Sequence, residues 1–213
     1  MKNHILLFLL SFSCICTAQK NIFESDRFDE LSETHQTLAI LPFIAHLDLK
    51  NNSTPEELNE QEAKEGYAVQ DALETYFSRG KKRKKFTVNF QNTKNTNALL
   101  AQHNITYDNI DVYTMKELAA ILQVDGIVSG SLDLNILLSK GVSSSFSLLD
   151  YFNGKANYGR IGIKISDGTT GKLLWKYEHA IDKKTGKNTT SFIDNMMKKA
   201  TRKFPYDKEK IKK

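Results

Sequence analysis

After the first 18 residues, the side chains able to bind a metal ion or act as a nucleophile are few and scattered. Both cysteines, Cys14 and Cys16, lie within those 18 residues, so the rest of the chain has no thiolate. A metal site needs three or four convergent ligands, and no two of the remaining histidines have the spacing of ligands on one helix or strand face. These histidines are His35, His46, His103 and His179. The sequence therefore predicts no metal ion and no cofactor.

Three aspartates are the candidates for acid–base hydrolysis by a carboxylate pair: Asp125, Asp133 and Asp167. Two of them stand at predicted strand or turn boundaries, where aspartate commonly caps backbone N–H groups. The serine run at residues 143–145 has no flanking histidine, and no nucleophile elbow, phosphate-binding loop or dinucleotide fingerprint is present. We therefore predict no catalytic residues and no enzymatic activity. An unrecognised hydrolase stays open as an alternative.

The most unusual local feature is a run of five cations between a predicted helix and a predicted strand. One interpretation is a solvated loop whose charges favour the negative end of the helix dipole. The other is contact with an anionic surface, either lipid phosphates or an acidic partner. The run consists of Lys81, Lys82, Arg83, Lys84 and Lys85. Nucleic acid is not an expected partner, because the N-terminal segment predicts export.

The N-terminus has the three parts of a secretory signal peptide over residues 1–18. Lys2 supplies the positive charge, an apolar stretch follows, and the small residues before Gln19 suit cleavage after Ala18. Two alternatives stay open: a short transmembrane anchor, and a lipoprotein signal in which Cys14 or Cys16 is lipidated. The favoured interpretation places the protein in the periplasm or at the outer membrane.

Hydrophobic patterning predicts alternating strands and helices. An apolar run at residues 37–43 reads as a buried strand with Pro42 at its end. Thr54 and Pro55 read as a helix start, with Gly80 as the stop. The remaining predicted elements are a strand at 86–90, a helix at 93–103, a helix after the capping box that begins at Thr114, a strand from 125 to at least 132, a hairpin over 159–181 and a helix at 189–203.

These elements predict a single domain of the α/β (α+β) class. Its mixed sheet of about five strands is covered by helices and ends in a C-terminal hairpin and a final helix. The expected boundaries are a flexible arm at residues 19–36, the domain at 37–203 with a Ser/Gly-rich insertion at 139–158, and a basic tail at 204–213.

Three segments together resemble the TolB amino-terminal domain and its relatives, which include the curli secretion protein CsgG. They are the opening strand at residues 38–43, the helix-to-strand segment at 118–132, and the Asp-Gly-Thr-Thr-Gly turn with its Leu-Leu-Trp strand at 167–175. The resemblance covers roughly residues 37–200. It implies a non-enzymatic envelope module that contacts other proteins, and the family has no shared catalytic residues to transfer.

We therefore expect an exported adaptor or assembly module that binds envelope proteins, with oligomer formation left open. The alternative implied by the resemblance is a subunit of a CsgG-like secretion pore. The sequence departs from CsgG because it lacks a clear pair of lipid-facing hairpins of alternating hydrophobicity. The candidate site in either case is the basic run at residues 81–85, as a contact with an anionic membrane surface.

Overall fold

The computed structural model describes residues 22–49, 53–82, 85–138, 159–181, 188–200 and 204–208. Within them the chain forms one mixed sheet of seven strands. These are β1 (Ile22–Glu24), β2 (Thr37–Ile40), β3 (Ile44–Leu47), β4 (Asn89–Phe90), β5 (Gly126–Leu134), β6 (Gly159–Asp167) and β7 (Leu173–Ile181). Five helices accompany the sheet: α1 (Phe28–Ser32), α2 (Pro55–Lys82), α3 (Thr93–Gln102), α4 (Met115–Leu122) and α5 (Thr189–Ala200). The predicted α/β class with a mixed sheet and a C-terminal hairpin is confirmed.

The sheet order is β1-β7-β6-β5-β2-β4. β2 and β3 pair with successive stretches of the same edge of β5. β5, β6 and β7 are antiparallel neighbours of nine residues each, whereas β2 and β3 run parallel to β5. Pro42 lies between β2 and β3, where its missing N–H interrupts the ladder. The predicted first strand is thus the first half of a longer interrupted strand.

The two faces of the sheet carry separate hydrophobic clusters. The larger cluster contains buried residues of α2, α5 and the 204–206 segment, together with the fully buried Trp175. The smaller one joins α3 and α4 to β2 and to Ile127 at the start of β5. Trp175 shares its cluster with Leu73, while Leu118 belongs to the opposite face.

Local sequence signals set several helix starts as predicted. Thr114 and Glu117 form a reciprocal capping box at α4. At α2, the Glu57 N–H donates to Thr54 Oγ1 at 3.2 Å, and the Thr54 N–H donates to the Glu57 carboxylate at 3.0 Å. These bonds satisfy backbone donors that the first helical turn leaves without partners.

The predicted end of α2 is wrong by one turn, because Gly80 is required for packing and not for termination. A Cβ at Gly80 would lie 2.2 Å from a ring carbon of Phe86, so only glycine lets the Phe86 ring approach the helix there. The helix continues through Lys82. Lys81 and Lys82 therefore belong to the helix and not to a loop.

Two segments expected to lie outside the domain, the flexible arm and the basic tail, pack against it where the structure describes them. Within the expected arm at 19–36, β1 pairs with β7, and Phe28 of α1 is buried. Within the expected basic tail at 204–213, Phe204 and Tyr206 are buried in the larger cluster. Charge dominates the composition of both ends, but a few apolar side chains are enough to dock each one.

The predicted signal peptide at 1–18 and the expected insertion at 139–158 lie outside the described residues. Among the helices that the structure describes, none combines the length and the apolar character needed to cross a membrane.

Candidate functional site

The predicted basic run begins in the last turn of α2, beside the end of α5. Lys82 is exposed, and Arg83 and Lys84 lie outside the described residues. A cavity of about 250 Å³ opens next to the run and is lined by three cations and one carboxylate. Its lining consists of Tyr76, Arg79, Gly80, Lys85, Asp194 and Lys198. The fold thus adds basic side chains from α2 and α5 to those of the run.

Lys85 has a structural role that the sequence did not indicate. Its Nζ lies 3.2 Å from Oδ2 of Asp207, whose side chain is 2% exposed, and 5.9 Å from the ring centroid of Phe86. Backbone bonds join the same segments, because the Lys208 N–H donates to the Lys85 carbonyl at 3.0 Å. Lys85 therefore attaches the C-terminal segment to the end of α2.

The three candidate aspartates do not form a carboxylate pair for hydrolysis. Asp125 Oδ2 accepts hydrogen bonds from the backbone N–H groups of Gln36 and Thr37, at 2.9 and 2.8 Å. Asp167 Oδ2 accepts from the N–H and hydroxyl of Thr170 within the β6–β7 turn. Asp133 is exposed on β5. Backbone and turn capping accounts for the first two, as their positions in the sequence predicted.

A buried polar cluster nevertheless joins Asp167 to His35 and Tyr206. His35 Nε2 lies 3.0 Å from Asp167 Oδ1, and His35 Nδ1 lies 2.6 Å from the Tyr206 hydroxyl oxygen. The side chains of His35 and Asp167 are each 3% exposed. A neutral imidazole satisfies both contacts when it accepts from the Tyr206 hydroxyl and donates Nε2–H to Asp167. The cluster therefore joins the chain before β2, the end of β6 and the segment at 204–208 in the interior of the protein.

Two pKa shifts follow from this burial. Burial acts to raise the pKa of Asp167, but hydrogen bonds from Thr170 and His35 outweigh it and leave that pKa below its ordinary value. Burial, with the charges of Asp167 and Asp125, raises the pKa of Tyr206 well above its ordinary range. Tyr206 therefore stays protonated, and its hydroxyl can donate a hydrogen bond to His35 Nδ1.

Histidines and acids do not converge elsewhere in the described part of the chain. No three His, Cys, Asp or Glu side chains there are grouped closely enough to hold a metal ion. His46 and His103 are exposed, and His179 lies 3.4 Å from the Tyr177 hydroxyl with its ring stacked on that tyrosine.

One half of the sheet presents an exposed polar surface, which we call the open face. Alternation along β6 buries Ile161, Ile163 and Ile165 on one side and leaves Arg160 and Lys164 exposed on the other. Strand pairing aligns the neighbouring rows of β5 and β7 with them. The open face consists of Ser129, Ser131, Asp133, Arg160, Gly162, Lys164, Lys176, Glu178 and Ala180.

Small residues occupy the middle of the open face and charges surround them. Gly162 itself is buried, and the nearest atom that a Cβ there would meet is Ser131 Oγ at 3.6 Å. Lys176 and Glu178 form an ion pair at 2.5 Å. At the edge of the sheet, Phe23 of β1 pairs with Lys176 and is 49% exposed.

A groove of about 220 Å³ connects the open face to α4. It is lined by apolar side chains of β3 and α4 and by polar residues of the open face, including Ile44, Met115, Ser129 and Lys164. Alternation in the sequence predicted the buried side of this hairpin, but no role was predicted for its other side. The alternation of charged residues with Ile161, Ile163 and Ile165 was the signal for it.

Comparison with known proteins gives structural likenesses alone. No family model and no curated protein matches the chain. Solved structures similar to it include the lipoprotein GNA1162 from Neisseria meningitidis, at 9% identity and a TM-score of 0.42, covering 69% of this chain and 80% of that one. Another is the LpoB C-terminal domain from Salmonella enterica, at 9% identity and a TM-score of 0.37, covering 73% of this chain and 93% of that one. Both TM-scores are low, so these likenesses carry no argument about function.

Proposed function

We propose that this protein is a non-enzymatic module of the cell envelope that binds a partner protein through the open face. The observation that carries this proposal is the asymmetry of the sheet. On one side the three strands β5, β6 and β7 bury Trp175 and the isoleucines of β6, whereas on the other side they carry a polar row in which Asp133, Arg160 and Lys164 are exposed. Export by the predicted signal peptide at residues 1–18 supplies the compartment.

The open face combines features of protein-binding surfaces. Its charges of both signs can set the orientation of a partner, and a groove with apolar and polar walls adjoins it. Val112, next to the groove in the short 3₁₀ turn Ile110–Val112, is 75% exposed.

The basic run at residues 81–85 is assigned a supporting role in this proposal. Because Lys85 pairs with Asp207 and Arg79 pairs with Asp194, the cations at 81–84 would hold the protein against an anionic surface of the envelope. The insertion at 139–158, on which a CsgG-like pore would depend, lies outside the described residues. Fractionation separates the two functions, because a peripheral adaptor is released from membranes by salt, whereas a pore requires detergent.

Site-specific photo-crosslinking in cells tests the open face. A photoreactive residue at Ser131 should give one discrete crosslinked product in the envelope fraction, while the same residue at the exposed Ser78 of α2 should not. Lys164→Glu should abolish the product, because it reverses a charge on the open face. Lys116→Glu, an equal change at an exposed position of α4, should leave it intact. No discrete product from Ser131, or the same product from Ser78, would reject the proposal.

Intact mass of the exported protein tests the compartment. The expected mass is that of a chain that begins at Gln19. A mass that fits a diacylated Cys14 or Cys16 would replace free export with a lipid anchor.

A further inference from the structure

A second concave site, distant in sequence from the open-face strands, contains a pair of tyrosines. The cleft has a volume of about 310 Å³ and lies between α2, α3 and the chain that follows α3. The ring centroids of Tyr67 and Tyr107 are 6.0 Å apart with an interplanar angle of 42°. Tyr67 is 36% exposed, so its ring is accessible from solvent. Pro42 and Leu100 extend the apolar wall, and Asn97 and Asn104 supply amides.

The cleft is built by close approach of α2 to two other segments. A Cβ at Gly66 would lie 2.0 Å from the Phe43 carbonyl oxygen and 2.8 Å from a ring carbon of Tyr107, so any larger residue would separate them. The Tyr107 hydroxyl accepts from the Ala45 N–H at 2.7 Å and donates to the Glu62 carbonyl at 3.2 Å. The Tyr107 ring is therefore held in place before any ligand arrives, which lowers the entropy lost on binding.

The surroundings of the cleft are acidic. Asp108, the residue after Tyr107, is exposed, and its Oδ1 accepts from Asn59 Nδ2 at 3.0 Å. Burial raises the pKa of Tyr107 to about 12, and the charges of Glu62 and Asp108 act in the same direction. Burial and Asp108 likewise raise the pKa of Tyr67. Both tyrosine hydroxyls thus lie within the field of the Asp108 carboxylate.

The acidic character extends along the adjacent helix. The first 22 residues of α2 contain one basic residue, Lys64. Over the same stretch the acidic residues are Glu56, Glu57, Glu60, Glu62, Glu65, Asp71 and Glu74. Glu65 is buried, but Glu56, Glu57, Glu60 and Asp71 are exposed, so the helix surface attracts cationic groups and repels anionic ones.

We propose that this cleft binds an arginine or lysine side chain from an extended segment of the partner protein. Aromatic ring faces attract cations, and the exposed carboxylate of Asp108, the residue after Tyr107, adds to that preference. The apolar wall fits the methylene stem of such a side chain, while the charged end meets Tyr67 and Asp108. The existence of a partner protein rests on the proposed function, but binding of a cationic side chain by the cleft can be measured without that partner.

Titration of the full exported chain with two short peptides tests the cleft. One peptide is N-acetyl-Gly-Arg-Gly-amide, and the other carries uncharged citrulline in place of arginine. The arginine peptide should shift the ring NMR signals of Tyr67 and Tyr107 saturably, and citrulline should bind at least about 3-fold more weakly through loss of the cation–π attraction. Added salt should weaken the arginine peptide's binding, since the Asp108 contact is exposed.

Two matched variants locate the effect. Asp108→Asn should weaken arginine-peptide binding by about 2- to 5-fold, as expected for one exposed charge contact. Asp111→Asn, the same charge change at another exposed position three residues away, should leave it unchanged. Equal binding of the two peptides, equal effects of the two variants, or saturation by neutral N-acetylglucosamine with no response to arginine would each overturn the proposal.

The outcome is separable from that of the proposed function. Loss of arginine binding with the Ser131 crosslink intact would reject the cleft alone. Retained arginine binding without that crosslink would reject the open face and support the cleft as a separate cation site.

Discussion

Replacing Asp167 with alanine should destabilise the fold far more than replacing an exposed aspartate. The Asp167 carboxylate joins the β6–β7 turn to His35, and through His35 to Tyr206 near the C-terminus. It accepts three hydrogen bonds: one from His35 at 3.0 Å and two from Thr170 at 2.7 and 2.5 Å. The change therefore removes a connection between segments 132 residues apart in sequence.

The expected loss is about 2–4 kcal/mol in the free energy of unfolding. Most of it comes from His35, whose buried Nε2–H would lose its acceptor, at a cost of about 1–3 kcal/mol. Thr170 is exposed and can donate to water instead, so its two lost bonds add less. Tyr206→Phe keeps the ring contacts with Phe28 and Phe204 and removes only the hydroxyl, so it should cost about 1–2 kcal/mol.

Urea unfolding at several pH values measures both the size of the loss and its dependence on pH. The pKa of Asp167 in the folded protein is below its ordinary value, so the carboxylate stabilises the fold above that ordinary value. The difference between wild type and Asp167→Ala should be full at pH 7 and shrink as the pH falls below about 4. Asp133→Ala, at an exposed position of β5, serves as the control and should stay within about 0.5 kcal/mol of wild type.

The double variant shows whether the three side chains act as one unit. Asp167→Ala and Tyr206→Phe both act through His35, so their combined loss should be smaller than the sum of the single losses. Strictly additive losses, or a loss for Asp167→Ala no larger than that for Asp133→Ala, would refute the view that this cluster holds the termini to the sheet.

Trp175→Ala should lower the free energy of unfolding by about 3–5 kcal/mol, measured by denaturant titration, because the side chain is fully buried. Lys85→Gln should cost about 1–2 kcal/mol in the same assay, since it leaves the buried Asp207 without its cation, while Lys82→Gln should stay within about 0.5 kcal/mol. Replacing the four cations at 81–84 with glutamine, with Lys85 retained, should leave the melting temperature near wild type and reduce sedimentation with anionic vesicles at low salt. Unchanged vesicle binding would show the run to be a solvated connector.

Elements with a local signal were predictable from the sequence. The α4 start follows from its capping box at Thr114, and the β6–β7 hairpin follows from alternation on both sides of a Gly-Thr-Thr-Gly turn. Periodicity and capping depend on neighbours within a few residues, so they survive without tertiary context. The end of α2 was misplaced because Gly80 meets Phe86, a contact made by the tertiary fold.

The candidate sites were less predictable, because each combines distant segments. The basic run was visible in the sequence. The pairing of Lys85 with Asp207, which sets Lys85 apart from the exposed Lys82, was not, because those two residues meet only in the tertiary structure. The tyrosine cleft needs Gly66 on α2 and Tyr107 some 40 positions later. The spacing of residues along the sequence does not indicate which distant residues come into contact.

The sequence by itself determined the class of fold, the hydrophobic faces of its strands and helices, and the prediction of export. Those properties follow from side-chain polarity and its period along the chain. Only the tertiary structure decided that residues 22–32 and 204–206 pack on the sheet, that His35, Asp167 and Tyr206 meet in its interior, and that the described residues leave the charged row of β6 exposed. The physical reason is that burial and hydrogen bonding between distant segments depend on how the layers stack, and no local pattern specifies that stacking.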